Sequence, residues 1–221
     1  MERTQGNTGI ALSAKKKPPV MPAPVSPASN RKWFIIAIAL AVALVLYWRQ
    51  ATAVDPLAEQ QNGIRLLEEG RPTDAVPCFE RALAVTEDAA TRFHLANALK
   101  AAGRPADASR EYKRALTLDP HNAAVWFNFG NLLRGEFHDT RNALEAYRRA
   151  TESDPNFADA HYSLGVMLLE SGDFEATVAA LQSALQLAPP AATWRADADT
   201  ALNIARLRVV EAQGKLPPPR K

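Results

Sequence analysis

Two asparagines, Asn97 and Asn131, stand 34 residues apart, each with an aromatic four residues before it and a cation three after it. Phe93, Asn97 and Lys100 make the first set, Phe127, Asn131 and Arg134 the second, and Tyr162 continues the aromatic series. A carboxamide both donates and accepts, so it can hold the backbone of an extended chain with little demand on its sequence. The neighbouring lysine or arginine adds a charge-assisted bond to a carboxylate. This is binding chemistry, and the expected partner is a protein or peptide rather than a small-molecule substrate. The other reading of Asn97 and Asn131 is that they are ordinary exposed helix residues. No comparable set supports catalysis. His94, His121, His138 and His161 are scattered, with no His-Glu-x-x-His and no close carboxylate pair. Cys78 is the single cysteine, which excludes a disulfide framework and any multi-cysteine metal site. No glycine-rich phosphate loop follows a strand pattern. The expectation is no enzyme, no cofactor and no metal.

The elements that must position these residues repeat along the chain. From Asp154 to Pro189 two short helical patterns lie back to back. Leu164, Gly165 and Leu168 share one face of the first, and Leu181, Ala184 and Leu185 share one face of the second. Ser171-Gly172-Asp173 punctuates them. Aligned on the alanine of the second helix, the unit returns at Ala82, Ala115, Ala150 and Ala184, at intervals of 33, 35 and 34 residues. Each anchor carries its own neighbours at fixed offsets: Ala75 and Phe79, Ala108 and Tyr112, Ala143 and Tyr147, Thr177 and Leu181. Pro120, Pro155 and Pro189 follow the last three anchors, and the small residue of the first helix is Gly63, Ala96, Gly130 or Gly165. A helix pair this short cannot bury its apolar stripe alone, so neighbouring copies must stack.

This pattern resembles the tetratricopeptide repeat, a unit of about 34 residues with a W-x2-L-G-x2-Y…A-x3-F…P signature. The resemblance implies an all-α, right-handed superhelical solenoid of about four helix-turn-helix units, here near 56–88, 89–122, 123–157 and 158–191. It also implies that first helices line a concave groove, into which Phe93, Asn97, Lys100, Phe127, Asn131, Arg134 and Tyr162 would project. Asn97 and Asn131 match positions of the chaperone-tail carboxylate clamp of that family. The clamp further needs a lysine and an asparagine in its first repeat and a lysine before the last cation. Gln60, Ile64 and Phe127 stand there, so the likeness stops short of chaperone-tail recognition. Other departures are Glu87 in place of the first proline, Glu59 and Asn62 at apolar positions, and one extra residue in the Arg134–Asp139 turn. His161 occupies the usual tryptophan position and reads as a packing residue.

The flanks are different material. Net charge is +2, so no global basic field argues for nucleic acid. Residues 1–32 are basic and proline-rich without apolar periodicity, and are expected to be disordered. Trp33 to Trp48 is a charge-free apolar run of sixteen residues. As a helix it would span about 24 Å, against roughly 30 Å for a hydrocarbon core. Tryptophans at both ends and snorkelling Arg31, Lys32 and Arg49 suit a single transmembrane anchor at 33–50. Lys15, Lys16, Lys17, Arg31 and Lys32 precede it, which places the N-terminus in the cytoplasm and the repeats on the periplasmic side of a bacterial-type inner membrane. A cleaved signal peptide competes, because Ala51-Thr52-Ala53 has the A-x-A form. A linker at 51–55, the repeats at 56–189, a solvating cap helix at 190–214 and a frayed tail at 215–221 complete the chain. The expected function is a membrane-anchored adaptor or scaffold serving envelope assembly, secretion or maturation. Alternatives are a self-assembling structural spacer and an import-receptor-like protein facing the cytosol.

Overall fold

Residues 27–51 and 54–214 are described by a computed structural model, which separates into two compact units, Met1–Ala53 and Val54–Lys221. The chain up to residue 26, the Thr52-Ala53 end of the A-x-A motif and the tail from residue 215 lie outside the described residues. In the first unit, helix α1 runs Pro27–Ala51, so the stretch expected to be disordered already turns helical at Pro27. A proline at the first helical position lacks only an N–H that would have had no partner, and its fixed φ suits the helix. Residues 31–45 of α1 are exposed on every face. Among the described residues no helix is long and apolar enough to cross a membrane. The expected span is thus present as a helix but not supported as transmembrane: its charge-free run stops at sixteen residues between Lys32 and Arg49.

The second unit is a stack of helix pairs: α2 (Pro56–Glu68) with α3 (Pro72–Val85), α4 (Ala89–Ala101) with α5 (Pro105–Leu118), α6 (Ala123–Gly135) with α7 (Thr140–Ser153), and α8 (Ala158–Ser171) with α9 (Phe174–Leu187). A last helix, α10 (Arg195–Ala212), packs on α9 and α8. No strand occurs among the described residues. The starts follow from local chemistry. Side chains of Asp55, Asp88, Asn122, Asp139 and Asp173 accept from the first free backbone N–H groups of α2, α4, α6, α7 and α9. Helices α3 and α5 instead open on Pro72 and Pro105.

Close approach within each pair explains the small residue of the first helix. A Cβ built on Gly63 would lie 2.7 Å from the Phe79 ring, on Gly130 2.8 Å from Tyr147, and on Gly165 2.5 Å from Leu181. The second-helix anchors Ala75, Phe79, Ala108, Tyr112, Ala143, Tyr147, Leu181 and Ala184 are all buried, and one apolar cluster runs from Leu66 through the repeats to Ala180.

Junctions between repeats show coupled replacement. Trp126 Nε1 donates to the Pro120 carbonyl at 2.8 Å, and His161 Nε2 meets the Pro155 carbonyl at 3.0 Å. His161 therefore does the tryptophan's job, and the bond fixes its proton on Nε2. At the first junction Glu87 replaces the proline and Arg92 the tryptophan, and an ion pair forms with contacts of 2.5 and 2.6 Å. Arg92 also holds buried Glu111 at 2.5 Å, with Arg114 on the other oxygen at 2.7 Å. The extra residue of the third repeat is absorbed in a turn where His138 takes a left-handed backbone, φ 53°. The Asp139 N–H there returns to the Leu133 carbonyl at 2.9 Å.

The cap helix differs from expectation. α10 buries Ala198, Leu202 and Ala205, but its outward face carries exposed Ile204, Leu207 and Val210. The charges Asp197, Asp199, Arg206 and Arg208 share that surface with the apolar residues rather than covering it.

Candidate functional site

First helices of successive repeats touch, α2 against α4 and α4 against α6, and so build one continuous wall. On that wall α4 carries Phe93, Asn97 and Lys100, and α6 carries Phe127, Asn131 and Arg134, all but exposed Arg134 half-buried.

Both asparagines are held from beneath. The Tyr112 hydroxyl donates to Asn97 Oδ1 at 2.5 Å, and the Tyr147 hydroxyl to Asn131 Oδ1 at 2.8 Å. Tyr112 and Tyr147 are fully buried core residues, and a buried phenol needs a partner. Burial also pushes both phenols above the ordinary tyrosine range, so they stay protonated donors. Each oxygen accepts inward through one lone pair, and neither NH2 group has a hydrogen-bond partner among the described residues.

The cations also divide. Arg134 reaches across to α8 and pairs with Glu170 at 2.8 Å, so its charge is neutralised within the wall. Lys100 has no ion-pair partner among the described residues. The aromatics mostly knit the wall. Phe93 lies 5.5 Å from the His94 ring and 6.3 Å from Tyr112, while Phe127 lies 6.0 Å from Tyr147 and 4.9 Å from Phe157. Tyr162, on α8, is half-buried. The Trp194 indole stacks on it at 4.6 Å and 10°, and Trp194 Nε1 donates to Asp159 at 2.6 Å.

Sequence reasoning missed Tyr112 and Tyr147 as partners, and a signal for them was present. At the equivalent positions the four repeats read Ile64 with Phe79, Asn97 with Tyr112, Asn131 with Tyr147, and Val166 with Leu181. Asparagine occurs only above a tyrosine. Glu170 and Trp194 gave no such signal. Cys78 is buried, with Asn62 Nδ2 and Arg81 Nη2 each 3.3 Å from its sulfur. His94 stacks on Phe79 at 5.9 Å and 15°, and burial lowers its pKa against a smaller opposing pull from Asp88. Among the described residues no group of three His, Cys, Asp or Glu could hold a metal ion.

A stack of helix pairs with a continuous first-helix wall and amide donors at its centre defines a helical-repeat protein of the interaction-scaffold type. The repeats are tetratricopeptide repeats, because models of that family match residues 66–126 and 132–192. The chain is similar to a probable UDP-N-acetylglucosamine–peptide N-acetylglucosaminyltransferase SPINDLY of Hordeum vulgare, 28% identical over 131 residues, 56% of this chain and 14% of that protein. The chain spans 14% of the length of the curated relatives it matches. Among solved structures, MamA superposes with a TM-score of 0.53 at 20% identity, covering 70% of this chain and 97% of MamA. YrrB, described as a TPR protein with an unusual peptide-binding site, superposes at 0.54 and 23% identity, covering 80% of this chain and 88% of YrrB. At these identities the likeness shows the fold.

Proposed function

We propose that the α4–α6 wall binds an extended segment of a partner protein, and that the chain acts as an adaptor or scaffold rather than an enzyme. The observation that carries this reading is the pair of half-buried carboxamides, Asn97 and Asn131, each held through its oxygen by Tyr112 or Tyr147 and with an NH2 group that has no partner among the described residues. Fixed donors bind with less ordering cost than free ones. An extended backbone offers carbonyl acceptors to both amides, and a carboxylate on the same segment meets Lys100. YrrB, similar in fold, is described as having a peptide-binding site, which favours the same surface class.

The second part of the proposal concerns place. Helix α1 is exposed on every face between residues 31 and 45, and its charge-free run begins at Trp33, ends at Trp48 and is flanked by Arg31, Lys32 and Arg49. Snorkelling cations and local thinning of the bilayer extend a short run, so α1 serves as a membrane anchor. The charge bias puts the repeats on the extracytoplasmic side, where envelope protein assembly, secretion or maturation would supply partners.

Two experiments test the parts separately. Lys100→Glu in the full chain should abolish binding of acidic extended peptides while Arg148→Glu, on a second helix, leaves it intact; equal binding by both would refute the groove. Protease access to a tag after Lys221 should require opening of the outer barrier and not of the cytoplasm. Access only after lysis refutes the placement.

A further inference from the structure

We propose that a cavity at the junction of the second and third repeats is a second binding site, which takes an arginine side chain of a partner protein. The cavity, of about 450 Å³, is lined by Pro120, His121 and Trp126 of the junction and by Glu145, Arg149 and Glu152 of α7. Trp126 supplies an aromatic wall, and its indole N–H donates to the Pro120 carbonyl at 2.8 Å, which fixes the ring. Among the described residues no aromatic ring or cation stacks on that indole. Glu145 and Glu152 stand two turns apart on α7 and so share one face about 10 Å long. These features coincide in one repeat only. At the tryptophan position the other repeats hold Glu59, Arg92 and His161. The pairs that match Glu145 and Glu152 are Pro77 and Ala84, Arg110 and Thr117, and Ala179 and Gln186.

Charge selects the occupant. Arg149 meets Glu145 at 2.9 Å and Glu152 at 3.6 Å, so two carboxylates share one guanidinium. All three side chains are exposed, and a second cation can reach the carboxylates. The stretches that build the cavity, 118–126 and 144–154, carry Asp119, Glu145, Glu152 and Asp154 against Arg148 and Arg149, with His121 formally neutral. The surplus is negative with every charge counted, which disfavours an anion and favours a cation. Indole is the side-chain ring that attracts a cation most strongly. Among cationic side chains arginine matches both features, because its flat guanidinium lies on the ring while its N–H edge meets a carboxylate oxygen. Asn97, Lys100 and Asn131 do not line the cavity, so it is distinct from the α4–α6 wall.

The test is a magnetic-resonance titration of the full chain, isotope-labelled at tryptophan in mild detergent, with an end-blocked Gly-Arg-Gly peptide. The indole N–H signal of Trp126, identified by its loss in Trp126→Phe, should shift and saturate. The same peptide with citrulline, the neutral isostere of arginine, should leave that signal unmoved. Glu145→Gln with Glu152→Gln should weaken arginine binding about tenfold, the size of two exposed ion pairs, and leave the melting temperature of the repeats unchanged. No saturable shift, an equal response to citrulline, or an unaltered affinity in the double variant overturns the proposal. Free arginine brings its own carboxylate to an acidic cavity and should bind more weakly than the peptide; tighter binding would assign the cavity to a small molecule and overturn the protein partner. The signal is read at Trp126 alone, so the result stands whether or not the α4–α6 wall binds a peptide.

Discussion

Tyr147 donates its hydroxyl proton to Asn131 Oδ1 across 2.8 Å, joining the core of the third repeat to the surface of its groove. Tyr112 and Asn97 repeat the arrangement one unit earlier. A core residue thus sets the orientation of a binding residue, and the two cannot be varied independently.

Asn131→Ala should leave a buried hydroxyl without its acceptor and cost about 1–3 kcal/mol. The pair Asn131→Ile with Tyr147→Phe copies the Ile64–Phe79 pair of the first repeat, and should recover most of that loss while still removing peptide binding. Urea unfolding and a peptide titration read the two effects separately. If the paired variant binds as wild type, the carboxamide is not the binding group.

Glu170→Gln should release Arg134 into the groove. The pair is exposed, so stability should change by less than about 1 kcal/mol. Affinity for acidic peptides should rise at low salt, and the gain should fade as ionic strength increases. Fluorescence titration at two salt concentrations checks this.

Arg92→Met should be among the more damaging substitutions outside the apolar core, at about 3 kcal/mol, because Glu111 would stay buried with Arg114 alone. Chemical denaturation measures it, and Arg110→Met, at an exposed pair on α5, is the control expected within about 0.5 kcal/mol of wild type.

Stability should fall as the solution is made acid, through His94. Its folded pKa lies below the ordinary 6.5 because it is buried against Phe79, so between that folded value and 6.5 the unfolded chain binds more protons than the folded one. The stabilisation is therefore complete above pH 6.5 and is lost progressively below it. Thermal melts from pH 8 to 5 should show this slope, and His94→Phe should flatten it.

The solenoid was readable from the chain because its requirements are local and repeated: a small residue where helices touch, an aromatic opposite it, and a fixed interval between copies. Gly130 and Tyr147 fulfil those requirements as Gly63 and Phe79 do. The wall positions of Asn97 and Asn131 were readable for the same reason. What each side chain does there was not. The inward bond to tyrosine is a contact between two helices, Glu170 reaches Arg134 from the next repeat, and Trp194 covers Tyr162 from beyond the last one. Helix α1 was visible in composition alone, although its start at Pro27 was hidden by the prolines around it. On α10 Ile204, Leu207 and Val210 follow a three-residue spacing that places them together only once the buried stripe is known.

Photo-crosslinking in cells tests the central claim most directly. A photoreactive residue would replace exposed Ala101, one turn after Asn97 on α4, or exposed Arg148 on a second helix. A protein adduct is expected at position 101 and not at 148, and it should vanish when Asn97 and Tyr112, and Asn131 and Tyr147, are replaced together by Ile and Phe. Equal adducts at both positions, or an adduct at position 101 that survives those replacements, would contradict a groove built on the two carboxamides.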